Sequence, residues 1–208
     1  MAYSDFKTID SVKRKLKLKV TRDKDLFVDV ETVEPSHLLK ETLKENVPLA
    51  LAIHSEKARS ELIVAPILVE VRRRLDHRVS LFSGLEFNVD REKDLKGVCD
   101  FIFSLSPEQM SITAPVISIV EAKNDNIKSG IPQCLAEMVA AKIFNEKNEN
   151  PVDQVYGIVT TGSIWQFLQL ADSTAIIDLT EYYLRDIDKI IGIVLHLLED
   201  ALRKFTPQ

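Results

Sequence analysis

Cysteine is scarce in this 208-residue chain: there are two, Cys99 and Cys134. They make at most one bridge and lack metal-site spacing, so neither a disulfide scaffold nor a zinc signature is supported. We read both as small apolar core residues. Glycine and proline are also few, six and eight, and too scattered to mark a linker, and no repeat or low-complexity tract is present. Long apolar runs are missing as well. Charges break every run far short of the roughly 18 to 20 residues of a membrane span, and no basic-then-apolar leader opens the sequence. An intracellular, cytoplasmic protein with no membrane partner is therefore expected.

Several chemistries are excluded in the same way. His37, His54, His77 and His196 show no paired metal spacing, and each reads as a surface or partly buried polar residue. There is no Gly-rich phosphate loop and no GxSxG elbow, which leaves nucleotide-driven motors and serine hydrolases without support. Excess positive charge is also lacking. A net charge of -5 and a pI near 5.5 argue against a protein that coats nucleic acid through its overall field, while leaving room for a local basic groove. The one obvious basic cluster is "KRKLKLKV", where Lys13, Arg14, Lys15, Lys17 and Lys19 surround Leu16, Leu18 and Val20. Its alternation predicts an amphipathic strand with a cationic outer face, more readily solvated than phosphate-binding.

What is there is an ordinary globular composition, 45% hydrophobic and 28% charged, with length for one substantial core. A single domain over residues 1–208 is the expectation. "DLFVDV" reads as a second N-terminal strand, and Ser36 as the cap of a helix beginning "SHLLKE". "SEKARSELIVAPILVEVRRRL" is the clearest helix: Ser55 can cap it, and Ala58, Leu62, Ala65, Val69 and Arg72 follow three-and-four spacing. Then come strand candidates "VSLFSGLEFNVD", "GVCDFIFSL" and "PVISIVEAK". A helix "SGIPQCLAEMVAAKIFNE" follows, with Leu135, Met138, Val139 and Lys142 at helical spacing. Three further strands, "VYGIVTTG", "SIWQFLQL" and "TAIIDLT", precede a last helix with Ile187, Ile190, Ile191, Val194, Leu198 and Leu202 on one face. This order predicts an α/β domain with a mixed central β-sheet flanked by helices.

Two of the strands end on charge. Alternation puts Ile117, Ile119, Glu121 and Lys123 on one side of theirs, so a carboxylate and an ammonium stand together where the strand leaves the core. If "GVCDFIFS" and "PVISIVEAK" form a hairpin whose loop centres near Met110 and Ser111, Asp100 faces Glu121. Two carboxylates then lie within about 5 Å, where they repel unless a cation neutralises them. A hard divalent ion such as Mg²⁺ meets that need. The competing reading is an ordinary surface pair of Glu121 with Lys123, and an Asp100 that merely starts a strand.

Asp100, a spacer of twenty residues, then Glu121-Ala122-Lys123 at the end of an apolar strand resembles the PD-(D/E)XK nuclease superfamily, the restriction-endonuclease-like fold. The resemblance spans roughly residues 55–170. It implies that Asp100 and Glu121 bind Mg²⁺, with Mn²⁺ able to substitute, and that the carbonyl of Ala122 completes the shell. It makes Lys123 the catalytic lysine, activating or orienting the water that attacks a DNA phosphodiester. Cys99 stands where the family's name has proline. Gln133 and Glu137, four apart on the following helix, share a face, and the resemblance brings Gln133 to the catalytic site. Glu56 is similar to an early helix glutamate that reaches the metal in nuclease domains of type I restriction subunits, with Glu61 competing for the role. "GIVTTGSIWQFLQL" resembles the strand, turn and strand that follow the active-site helix, with Trp165 packed on the sheet. Lys128 and the arginines from Arg72 to Arg74 are candidates for DNA backbone contacts. Pairing as a homodimer to cut both strands is implied by resemblance alone. The rival expectation is a nuclease-like fold that binds nucleic acid or protein without cutting.

Overall fold

The computed structural model describes residues 2–205. The basic N-terminal cluster does not form one strand. Ile9, Val12 and Leu16 recur at three-and-four spacing and make a helix, α1 (Ile9–Leu16), capped by the Thr8 side chain on the Ser11 N–H. Lys17 ends it in the left-handed conformation, at φ 54°, and the first strand, β1 (Lys19–Lys24), starts two residues later. The expected strand at "DLFVDV" is likewise absent. Phe27 is buried in the core, and Leu26 donates its N–H to the Asp178 carboxylate instead of to a ladder.

From Ser36 onward the expected elements form. Ser36 caps α2 (His37–Ile53), and Ser55 caps a second helix, which runs as α3 (Glu56–Arg59), a π-helical turn (Ser60–Val64) and α4 (Ala65–Arg74). The wide turn shifts the helix phase. Burial follows Ile63, Val64, Ile67, Leu68 and Val71 rather than the expected Leu62, Ala65 and Val69, the last of which is exposed.

The remaining elements are β2 (Ser80–Glu86), β3 (Val98–Ser104), β4 (Val116–Ala122), α5 (Ile127–Lys147), β5 (Gln154–Thr160), β6 (Ile164–Ala171), β7 (Thr174–Tyr183) and α6 (Ile187–Lys204). The strands make one mixed seven-stranded sheet in the order β1-β7-β6-β5-β4-β3-β2. The β1–β7 and β4–β5 pairs are parallel and the rest antiparallel. The β3–β4 hairpin has the register expected from the sequence, pairing Phe101 with Val120, Ile102 with Ile119 and Phe103 with Ser118. At the next step Ser104 pairs with Val116, so Ile117 is an extra residue in β4. This bulge breaks the expected alternation: Ile117 packs with Val120 on one face, and Ile119 on the other.

On the first face lie α2, α4 and α6, closing a core around Phe103, Trp165 and Phe167. On the second lie α1 and α5. Because α1 and the N-terminal segment cover its outer side, α5 is buried nearly all round, beyond the expected stripe of Leu135, Met138, Val139 and Lys142. It presses directly on β5: a Cβ on Gly157 would stand 2.5 Å from Met138 Sδ. Near its far end, the buried Asn145 side chain imitates a neighbouring strand. It accepts from the Val116 N–H and donates to the Val116 carbonyl, both at 2.7 Å. Among the described residues, no helix is long and apolar enough to cross a membrane.

Candidate active site

β4 is buried along its whole length, between β3 and β5 and under helices on both faces. Where such a strand ends, its last side chains are still inside while its backbone is leaving, and here those side chains carry charge. Glu121 is 1% exposed, and Lys123 continues the β5 ladder by one bond, its N–H donating to the Thr160 carbonyl at 2.7 Å.

Asp100 lies across the hairpin, near the start of β3. Its Oδ2 accepts from the Ala122 N–H at 2.8 Å, which fixes the carboxylate against the end of β4. The Lys123 ammonium pairs with Glu121 Oε1 and stands 3.9 Å from Glu56 Oε1, at the first residue of α3. The structure thus brings Asp100, Glu121, Ala122, Lys123 and Glu56 together. Gly130 makes room for this: a Cβ there would lie 2.6 Å from Val159 and 3.0 Å from the Lys123 stem, so only glycine lets α5 close over the lysine.

The electrostatics show an excess of negative charge. Burial pushes the Glu121 carboxyl up to about 8, with Asp100 adding to the shift and Lys123 opposing it. Burial also raises Asp100, partly offset by the Ala122 N–H and by Lys123. For Lys123 burial opposes the charge, but Glu121, Glu56 and Asp100 outweigh it and hold the ammonium above its ordinary value. Glu121 Oε2 is buried and has no hydrogen-bond partner in the protein. That unmet oxygen, beside a second carboxylate, fits a divalent cation. Among the described residues, no group of three or more His, Cys, Asp or Glu side chains is placed to hold a metal ion. Mg²⁺ needs only one or two carboxylates, taking the rest of its shell from water and phosphate.

The other expected residues divide. Gln133 spends its amide on Glu137 Oε1, at 3.1 Å, rather than on the carboxylates of the strand. Glu137 is fully buried behind them; burial and then Glu121 raise its pKa well above the usual range. Glu61 pairs with Lys57 on the exposed side of its helix. Arg73 and Arg74 bind Glu70, and Arg72 donates to the Val79 carbonyl, at a helix end roughly 25 Å along from Glu56. These arginines are engaged in the fold and remote from the site. Trp165 is fully buried, its indole N–H donating to the Gly162 carbonyl, as expected of a packing residue. Cys99 and Cys134 are buried free thiols.

Sequence reasoning missed Gly130 and Arg59. A glycine early in an otherwise apolar helix was the available signal for the first. Arg59, three residues after Glu56, is 8% exposed and donates to the Thr161 carbonyl and Ser163 Oγ, tying the helix to the β5–β6 turn. A groove of about 300 Å³ beside Gln154, Tyr156, Asp200 and Lys204 lies at the other end of β4 and β5 and takes no part in this site. Comparison with protein-family models and with curated proteins gives no match to the chain.

Proposed function

We propose that this chain is a Mg²⁺-dependent phosphodiesterase acting on DNA, with a restriction-endonuclease-like fold of the PD-(D/E)XK type. The observation that carries the reading is the buried Glu121, with one oxygen on Lys123 and the other unmet, beside the Asp100 carboxylate. Asp100, Glu121 and the Ala122 carbonyl would hold the ion, with Glu56 at its margin. Once bound, Mg²⁺ or Mn²⁺ polarises a phosphate oxygen and lowers the pKa of a bound water.

The residues of the chain do the rest. The Lys123 ammonium, held beside Glu121, would serve as a donor that orients the attacking water or a phosphate oxygen. Asp100 is held in place by the Ala122 N–H, and Glu121 by its burial and by Lys123, so the site is preorganised on two strands. The attacking water releases a proton to solvent as its oxygen bonds to phosphorus, the P–O ester bond breaks, and the leaving oxygen takes up a proton.

The test is cleavage of supercoiled and single-stranded DNA by the purified protein in Mg²⁺, Mn²⁺ or EDTA, beside Asp100→Ala and Lys123→Ala. Metal-dependent cutting, reduced on the order of a hundredfold or more in both variants, is expected. DNA binding with no cutting under any ion would replace the nuclease with a nuclease-like binding module, a reading favoured by the acidic balance of the chain.

A further inference from the structure

Next to the carboxylates, and used by none of the steps above, is a cluster of donors arranged around one acid. Asp125 follows Lys123 by two residues, in the turn before α5. Its Oδ2 accepts from Asn124 Nδ2 at 3.0 Å and lies 3.5 Å from His54 Nε2, and its Oδ1 lies 3.9 Å from an Arg59 guanidinium nitrogen. These donors come from three places in the chain: the end of α2, the turn of helix that carries Glu56, and the loop behind Lys123.

Two features distinguish this cluster from a surface ion pair. Arg59 is more than nine-tenths buried and its Nη1 is fixed by the Thr161 carbonyl and Ser163 Oγ, while Nη2 reaches only Asp125, at 3.9 Å, so a guanidinium is held in place with a terminal nitrogen left over on the Asp125 side. Asp125, by contrast, is 58% exposed and reaches His54 and Arg59 only at long range. A fixed, incompletely satisfied cation facing a loosely held, solvent-accessible carboxylate is an anion site occupied by a weak internal occupant.

We propose that Arg59, His54 and Asn124 form a subsite for a backbone phosphate of nucleic acid, and that Asp125 fills it until the substrate displaces the carboxylate. The subsite rests on the DNA-cleaving reading and deepens it. Glu56, about one helical turn from Arg59, and Lys123, two residues from Asp125, place it beside the scissile position, where it receives an adjoining phosphate of the same strand. Asp125 then acts as a competitor, and its removal strengthens binding.

The experiment is fluorescence anisotropy of a labelled single-stranded and a labelled duplex oligonucleotide with the full chain in EDTA, across a salt series. The variants are Asp125→Asn, His54→Gln, the double variant, and Asp172→Asn, which makes the same charge change in the β6–β7 turn at the opposite end of the strands. Asp125→Asn should bind about threefold to tenfold more tightly than Asp172→Asn, and its plot of log affinity against log salt should steepen by about one phosphate's worth. His54→Gln should weaken binding, and the double variant should lose most of the gain.

Equal affinities for Asp125→Asn and Asp172→Asn, or a gain that His54→Gln leaves untouched, would overturn the subsite even if the protein cuts DNA. A selective gain in a protein that never cuts would keep the subsite and discard the nuclease. No DNA binding by any form would remove both.

Discussion

Glu70 and Glu121 are both removed from solvent, at 4% and 1% exposure, and both meet basic side chains, yet their surroundings are opposite. Glu70, on α4, accepts from Arg73, Arg74, the Ser36 hydroxyl and the Ser36 N–H, so both of its oxygens are served. Burial pushes its carboxyl up, but the hydrogen bonds from Arg74, Ser36 and Arg73 outweigh this and hold it below the usual range. It clamps the start of α2 to α4. Glu121 has one lysine and one unmet oxygen, and its carboxyl is driven the other way. Glu70 is spent on the fold, whereas Glu121 leaves an oxygen unmet beside the Asp100 carboxylate, the arrangement on which the proposed metal site rests.

Conservative substitutions test this contrast most sharply. Glu121→Gln should lower metal-dependent cleavage on the order of a thousandfold while changing unfolding free energy at pH 7 by less than about 1 kcal/mol, because burial already holds the metal-free carboxyl largely uncharged there and glutamine keeps its shape. Cleavage rates beside urea denaturation would show it, and a collapse of stability with the loss of activity would merge the two glutamates into one class.

Glu70→Gln should do the reverse, costing about 2 kcal/mol in urea denaturation with cleavage per folded molecule unchanged; its arginines are partly exposed, which tempers the cost. Since the folded carboxyl lies below its unfolded value, its contribution is full above the ordinary glutamate range and is lost as the pH falls through the folded value. The cost of the substitution should shrink on that acid side.

Glu137 gives the smallest effect and the opposite slope. Its pKa is raised on folding, so the native state holds a proton that the unfolded chain has released, and the penalty grows as the pH rises above about 4.3. Glu137→Gln should therefore stabilise the protein by about 1 kcal/mol at pH 7 and by nothing near pH 3, as followed by thermal unfolding across that range. A loss of stability at neutral pH would mean that Glu137 is held ionised by a partner.

The sequence was most readable where local signals agree with the tertiary surroundings. The serine caps at Ser36 and Ser55 and the β3–β4 register follow from side-chain chemistry and loop length, and that register is what placed Asp100 near Glu121. The misreadings have physical causes. In "KRKLKLKV" an alternating pattern hides a helix end, because Lys17 takes the left-handed conformation between two elements. The face of α4 moved because a π turn inserts extra spacing between Ala58 and Ile63, and Ile117 changed sides through a one-residue bulge. Local spacing cannot register an inserted residue. The cluster around Asp125 is hard to read for another reason: its members are separated by long stretches of chain, and "NDN" at Asn124 to Asn126 reads in sequence as a polar turn before a helix, with a phosphate contact the weaker alternative.

The Asn145 side chain, described as an imitation strand at the start of β4, has a consequence for how the molecule opens. It fastens the far end of α5 to Val116, while the Lys123 N–H fastens the other end of β4 to Thr160. The β4-α5-β5 crossover is therefore latched at both extremities. In amide-exchange terms it should be the last part of the protein to admit solvent, so the Asp100–Glu121 pair sits at the rim of the slowest-opening unit, while the turn carrying Asp125 lies just outside the latch.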